Sequence, residues 1–107
     1  MAYTPLPFAD LGWQAGGHPL ELKKLVAGAG PVVLLAFEPG FEDPNVCVRG
    51  HVLYVVEGTL RLELDAGAVD VAAGEGCVLD PGTRHRAKNV GPGRVVSFVV
   101  SFEQPLG

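Results

Sequence analysis

The stretch GEGCVLDPGTRHRAKN, Gly74 to Asn89, decides how this chain is read. Pro81-Gly82 is a turn pair, because proline presets its φ and glycine accepts the positive φ that tight turns require. His85 lies three residues past the turn and opens a run of strand length. Side chains of a strand alternate between its faces, so His85, Ala87 and Asn89 share one face and Arg84, Arg86 and Lys88 the other. Three charges belong in water, and the histidine face therefore points inward. An inward histidine at a strand start is either a hydrogen-bonded core residue or a ligand, and this stretch alone leaves both readings open.

Outward from there the chain is a succession of short strands and turns. Downstream, Gly91-Pro92-Gly93 is a loop and RVVSFVVSF (94–102) a long strand with Val96, Phe98, Val100 and Phe102 on one face. Upstream, CVLD (77–80), AVDVA (68–72), TLRLELD (59–65) and HVLYVVE (51–57) read as strands between glycine turns. In TLRLELD, Leu60, Leu62 and Leu64 face in and the charges face out. VCV (46–48) starts another strand that Arg49-Gly50 interrupts, after the loop EPGFEDPN (38–45). VVLLAFE (32–38) is a continuous apolar run, and LELKKLVAG (20–28) opens like an exposed strand. Residues 1–18, with Pro5, Pro7, Gly12, Gly16 and Gly17, read as an extended N-terminal arm whose Phe8, Leu11 and Trp13 pack on the body. About eight strands without a helical period predict an all-β antiparallel sandwich or small barrel. The period does not separate a jelly roll from an immunoglobulin-like sandwich.

Composition narrows the class. A chain of 107 residues, 48% hydrophobic and 19% charged, is one folded domain rather than a disordered one. A net charge of -4 argues against nucleic acid or an anionic membrane as partner. Two cysteines do not make a disulfide scaffold, no leader pattern or membrane-length apolar run is evident, and a cytoplasmic location is the expectation. The only serines, Ser97 and Ser101, sit inside an apolar strand and no Gly-x-Ser-x-Gly occurs, so serine nucleophile chemistry has no support. The glycines at 28–30 and 74–76 do not lead into a helix, which removes a phosphate-loop reading.

The order Gly74, Asp80-Pro81-Gly82, His85, Asn89 resembles the second sequence motif of the cupins, with Asp80 where the family has proline. HVLYVVEG (51–58) is similar to the close of the first cupin motif. Counting back from Gly58, the family's glutamate falls on His51, its second HxH histidine on Cys47 and its first on Asn45. The resemblance spans about residues 45–89. It implies a double-stranded β-helix, the cupin jelly-roll barrel, over 19–107 as a single domain behind the arm.

It also implies a divalent metal in the barrel pocket. Cys47, His51 and His85 would be the metal ligands, and Asn45, Leu53 and Asn89 pocket residues or supports behind the ligands. Val55, Leu62 and either Val96 or Phe98 would complete an apolar lining. Two imidazoles and a thiolate favour Zn, with Fe or Ni as alternatives. In a straight strand Cys47 and His51 would be about 13 Å apart, so shared ligation needs a bend at Arg49-Gly50. The plain alternative is that Cys47 is a small core residue and both histidines are hydrogen-bonded core groups. His18 reads as exposed and inert, Cys77 as core, and Tyr54 as outward-facing. Asp80 is the carboxylate with the better claim to the pocket, and Glu57, at a strand end near the barrel mouth, is a minor candidate. Three functions follow: a metal-dependent enzyme acting on a small organic acid or sugar, a non-catalytic cupin that binds or senses a small-molecule ligand, or a structural or interaction protein whose pocket is vestigial. Unpaired strand edges and the resemblance both point to a homodimer.

Overall fold

A computed structural model describes residues 3–106. Among them, a 3-10 turn at Phe8–Asp10 is followed by nine strands: β1 (Gln14–Ala15), β2 (Glu21–Lys24), β3 (Val32–Phe37), β4 (Gly50–Glu57), β5 (Thr59–Leu64), β6 (Gly67–Ala72), β7 (Gly76–Leu79), β8 (His85–Lys88) and β9 (Val95–Phe102). They form two antiparallel sheets, ordered β1-β2-β3-β9-β4-β7 and β6-β5-β8. The chain is thus all-β, with the two-sheet arrangement of a jelly roll. Between the sheets lies one core, built on Phe37, Phe41, Leu53, Val55, Leu60 and Val95. The rings of Phe37 and Phe41 stack at 4.0 Å. Among the described residues no helix is long and apolar enough to cross a membrane.

Local sequence rules account for the strand ends. Gly58 separates β4 from β5 with a φ of +77°, a left-handed conformation that favours glycine. Within β4, His51, Leu53 and Val55 face the core while Tyr54 stands outward, 48% exposed. Three expectations need correction. Residues 46–48 form no strand, because bends at Pro44, Asn45 and Arg49 leave Cys47 only an isolated bridge to His85. In the 20–28 segment the strand stops at Lys24. In β9 the buried row is Val95, Ser97 and Val99, so Val96 and Phe98 face away from the core.

The β9 parity was ambiguous because both of its faces are largely apolar. The outward face is partly covered by the N-terminal segment. Phe8 packs edge-on against Phe98 with ring centroids 6.2 Å apart. The Lys24 ammonium donates to the Phe8 carbonyl at 2.7 Å, and Lys24 and Arg94 lie 4.7 and 5.7 Å from the Trp13 ring. His18 is half-buried rather than exposed: its Nδ1 accepts the Leu20 N–H at 3.0 Å, and its ring meets Phe41 edge-on at 5.0 Å.

Candidate metal centre

The turn that precedes His85 fixes where that side chain goes. The Thr83 N–H donates to the Asp80 carbonyl at 3.0 Å, closing a turn in which Gly82 has a φ of +92°. The Gly82 N–H reaches the Val48 carbonyl at 2.8 Å and ties the turn to the preceding loop. His85 and Cys47 then exchange backbone hydrogen bonds of 2.8 and 3.0 Å, which sets them face to face. Between Cys47 and His51 the chain bends at Arg49-Gly50, as shared ligation requires. Gly50 is needed there for space, because a Cβ would lie 2.6 Å from the Phe102 ring and 2.9 Å from Pro81 Cδ.

The result is a cluster that neither strand could form alone. Cys47 Sγ lies 3.6 Å from His51 Nε2, and one ligand atom each from Cys47, His51 and His85 fall within 4.8 Å of one another. The two imidazoles stand 5.1 Å apart at 76°. His85 Nδ1 lies 2.9 Å from the Thr83 carbonyl. A carbonyl can only accept, so Nδ1 carries a proton, and in the neutral ring Nε2 keeps its lone pair. His51 Nδ1 lies 2.9 Å from Ser101 Oγ. Burial first, then repulsion from His85 and from Arg49, lowers the His51 pKa to about 4, so this ring is neutral at pH 7. Burial pushes the Cys77 thiol up, in keeping with a core role.

The donor set fits a tetrahedral ion. With metal–nitrogen bonds near 2.0–2.1 Å and a metal–sulfur bond near 2.3 Å, nitrogen and sulfur ligands stand about 3.6 Å apart. The Cys47–His51 pair already has that separation. Three protein donors leave a fourth position for water or a small ligand.

The cluster opens on a cavity of about 130 Å³. Its walls are mostly apolar, with Leu35, Phe37, Leu53, Leu60, Leu79 and Val99 among them, and its other polar side chains are Glu21, Asp43 and Ser97. No lysine or arginine lines it among the described residues.

Of the remaining expected site residues, Leu53 and Leu62 line this cavity and the others do not. Asn45 is exposed at a bend, where its N–H donates to Asp43 Oδ1 at 3.3 Å. Asp80 is likewise exposed. Asn89 is buried but turned to a different task. Its Nδ2 donates to the Phe37 and Gly93 carbonyls at 2.9 and 2.8 Å, and its Oδ1 accepts the Gly91 N–H at 3.0 Å. It therefore clamps the β8–β9 loop to β3.

Sequence reasoning missed both cavity carboxylates. Asp43 lies in the loop after β3, where no alternation marks which side chain turns inward. Glu21 gave no signal either, since the alternation of β2 by itself favours Leu22 as the inward residue. Its Oε2 accepts the Gly17 N–H at 2.9 Å.

The cupin domain model matches residues 33–102. No curated protein matches the chain by sequence. Among solved structures, KdgF from a Halomonas species is 23% identical with a TM-score of 0.67, covering 87% of this chain and 89% of that one. The polyketide cyclase RemF from Streptomyces resistomycificus is 19% identical with a TM-score of 0.75, covering 99% and 83%. A sugar phosphate isomerase of the cupin superfamily from Silicibacter pomeroyi is 19% identical with a TM-score of 0.74, covering 95% and 77%. At such identities the likeness shows the fold alone.

Proposed function

The chain belongs to the cupin domain family, matched over residues 33–102, and on that premise we propose that it binds one divalent ion and a small, largely apolar organic acid or carbonyl compound. The observation that carries this reading is the convergence of Cys47, His51 and His85 at one end of an apolar cavity. These three residues would hold the ion, Zn(II) first, with Fe(II) or Ni(II) as alternatives. When bound, the ion supplies a Lewis acid toward a carbonyl or carboxylate oxygen. Leucine, phenylalanine and valine walls would shed water from the rest of the ligand. Asp43 and Ser97 are the polar groups placed to meet it.

The lining argues for the ligand class. A free sugar would leave hydroxyls unpaired against the leucine walls. A phosphate, with its higher charge, would need basic side chains beside the ion, and no lysine or arginine lines the cavity among the described residues. Sugar-phosphate isomerisation, the activity named for one structural neighbour, is thus the less favoured chemistry.

A second reading, non-catalytic binding or sensing, is favoured by one observation. Both cavity carboxylates already accept backbone N–H groups, Glu21 from Gly17 and Asp43 from Asn45.

Elemental analysis of protein purified without chelator tests the metal. About one equivalent per chain is expected, lost in His85→Ala. Cobalt(II) loading should give a thiolate-to-metal charge-transfer band that disappears in Cys47→Ser. Protein that stays metal-free after incubation with Zn(II), Fe(II) and Ni(II) would retire the reading. A thermal-shift screen of small carboxylates against metal-loaded protein, followed by a turnover assay, separates binding from catalysis.

We further propose a homodimer. Tyr54, Val56 and Val78 stand together on the outer face of β4 and β7, 48, 53 and 55% exposed. The outer face of the smaller sheet carries the Arg61–Asp70 pair and Lys88 between Glu42 and Glu63. The apolar face is the one that gains by meeting a second copy. Light scattering that finds a monomer at micromolar concentration refutes this.

A further inference from the structure

The two histidines of the centre are oriented by different means. The Nδ1–H of His85 is held by the backbone carbonyl of Thr83, which no side-chain substitution removes. The Nδ1 of His51 meets a side chain instead, the Ser101 hydroxyl at 2.9 Å. The sheet register produces this contact, because His51 of β4 is paired directly with Ser101 of β9. Directly opposed residues of an antiparallel pair project from the same face. The adjacent pair, Gly50 and Phe102, keeps the two strand ends in register. Ser101 also continues the inward row of β9 beyond Val95, Ser97 and Val99, where a hydroxyl is costly unless it has a partner.

The direction of this hydrogen bond decides what faces the cluster. A neutral imidazole has one N–H and one lone pair. With the proton on Nδ1, the Nε2 lone pair points at Cys47 Sγ, 3.6 Å away, where an ion would sit. With the proton on Nε2, that nitrogen could not ligate at all.

We propose that Ser101 is a positioning residue for the metal centre: its hydroxyl oxygen accepts the Nδ1–H of His51 and holds the ring as the tautomer able to ligate. The inference rests on the metal-binding reading above, and its test separates the two.

Zn(II) affinity is measured by competition with a chromophoric chelator for the unsubstituted protein, Ser101→Ala and Ser101→Thr. Loss of such a supporting hydrogen bond typically weakens metal affinity by about 10–100-fold. Ser101→Ala should show a loss of that size, while its metal-free melting temperature stays close to the unsubstituted protein's. Ser101→Thr keeps an oxygen and suits a strand, and should restore affinity to within a few-fold. Imidazole nitrogen NMR of metal-free protein gives a second readout, with His51 expected as the Nδ1–H tautomer and shifted toward Nε2–H in Ser101→Ala. Equal Zn(II) affinity of Ser101→Ala and the unsubstituted protein overturns the inference and leaves the metal site standing. Equal weakening by the alanine and threonine variants, or an Nε2–H tautomer in the unsubstituted protein, also overturns it. An unsubstituted protein that binds no Zn(II) overturns both.

Discussion

Replacing Asn89 with alanine should destabilise the fold and spare the metal centre. The side chain makes three hydrogen bonds: to the Phe37 carbonyl at 2.9 Å, to the Gly93 carbonyl at 2.8 Å, and from the Gly91 N–H at 3.0 Å. Asn89 is only 2% exposed, so water reaches the orphaned groups poorly. A buried group left without its partner costs about 1–3 kcal/mol. The Phe37 carbonyl carries that cost most fully, while the groups at Gly91 and Gly93 recover part of theirs from solvent. Together they give a loss of about 2–4 kcal/mol. For a domain of this size a loss of 1 kcal/mol moves the melting temperature by about 4–8 °C, so a drop of about 8–32 °C is expected. The assay is thermal and urea unfolding, with Zn(II) affinity measured well below the new midpoint. Asn89→Asp should fall similarly, because a carboxylate cannot donate to two carbonyls. Unchanged stability with lost metal affinity would refute the reasoning and return Asn89 to the site.

Three further outcomes are expected. The His51 pKa in the folded chain is about 4 against 6.5 unfolded, so its contribution to stability is whole above pH 6.5 and is lost as pH falls toward 4. Discounted for the partial exposure of the ring, the loss is about 1–2 kcal/mol, and urea unfolding of metal-free protein at pH 7 and pH 5 should show it diminished in His51→Gln. Phe41→Ala removes a ring only 2% exposed and stacked on Phe37, and should cost about 3–5 kcal/mol in the same unfolding assay. Gly50→Ala drives a Cβ to 2.9 Å from Pro81 Cδ in the turn that delivers His85, and should lower stability by about 1–3 kcal/mol together with Zn(II) affinity.

Much of the fold was legible because strand alternation and turn chemistry are local. Leu60 and Leu62 are buried as their period requires. Gly82 turns the chain with positive φ ahead of His85, as Pro81-Gly82 predicted. The match of residues 33–102 to the cupin domain agrees with a resemblance first visible in two short motifs. The cluster of Cys47, His51 and His85 was legible as a list of residues, and its bend was legible at Arg49-Gly50.

The rest was not local. Along β9, valine or phenylalanine occupies six of eight positions, so parity could not choose between its faces. The choice fell to packing, with Phe8 covering Phe98 outside and Ser97 turned toward the cavity. Asn45 left the site because its loop bends outward before the bridge at Cys47, and Asn89 left because three backbone groups 2 to 52 residues away claim its amide. Glu21 and Asp43 reach the cavity from elements that carry no motif. Ser101 meets His51 across 50 residues only because the register of β4 on β9 sets them opposite each other. The sequence by itself determined most of the strands, the turns and the candidate metal-binding residues, since each depends on side-chain chemistry within a few positions. The tertiary structure alone decided which polar groups face the cavity, since that follows from contacts between distant segments.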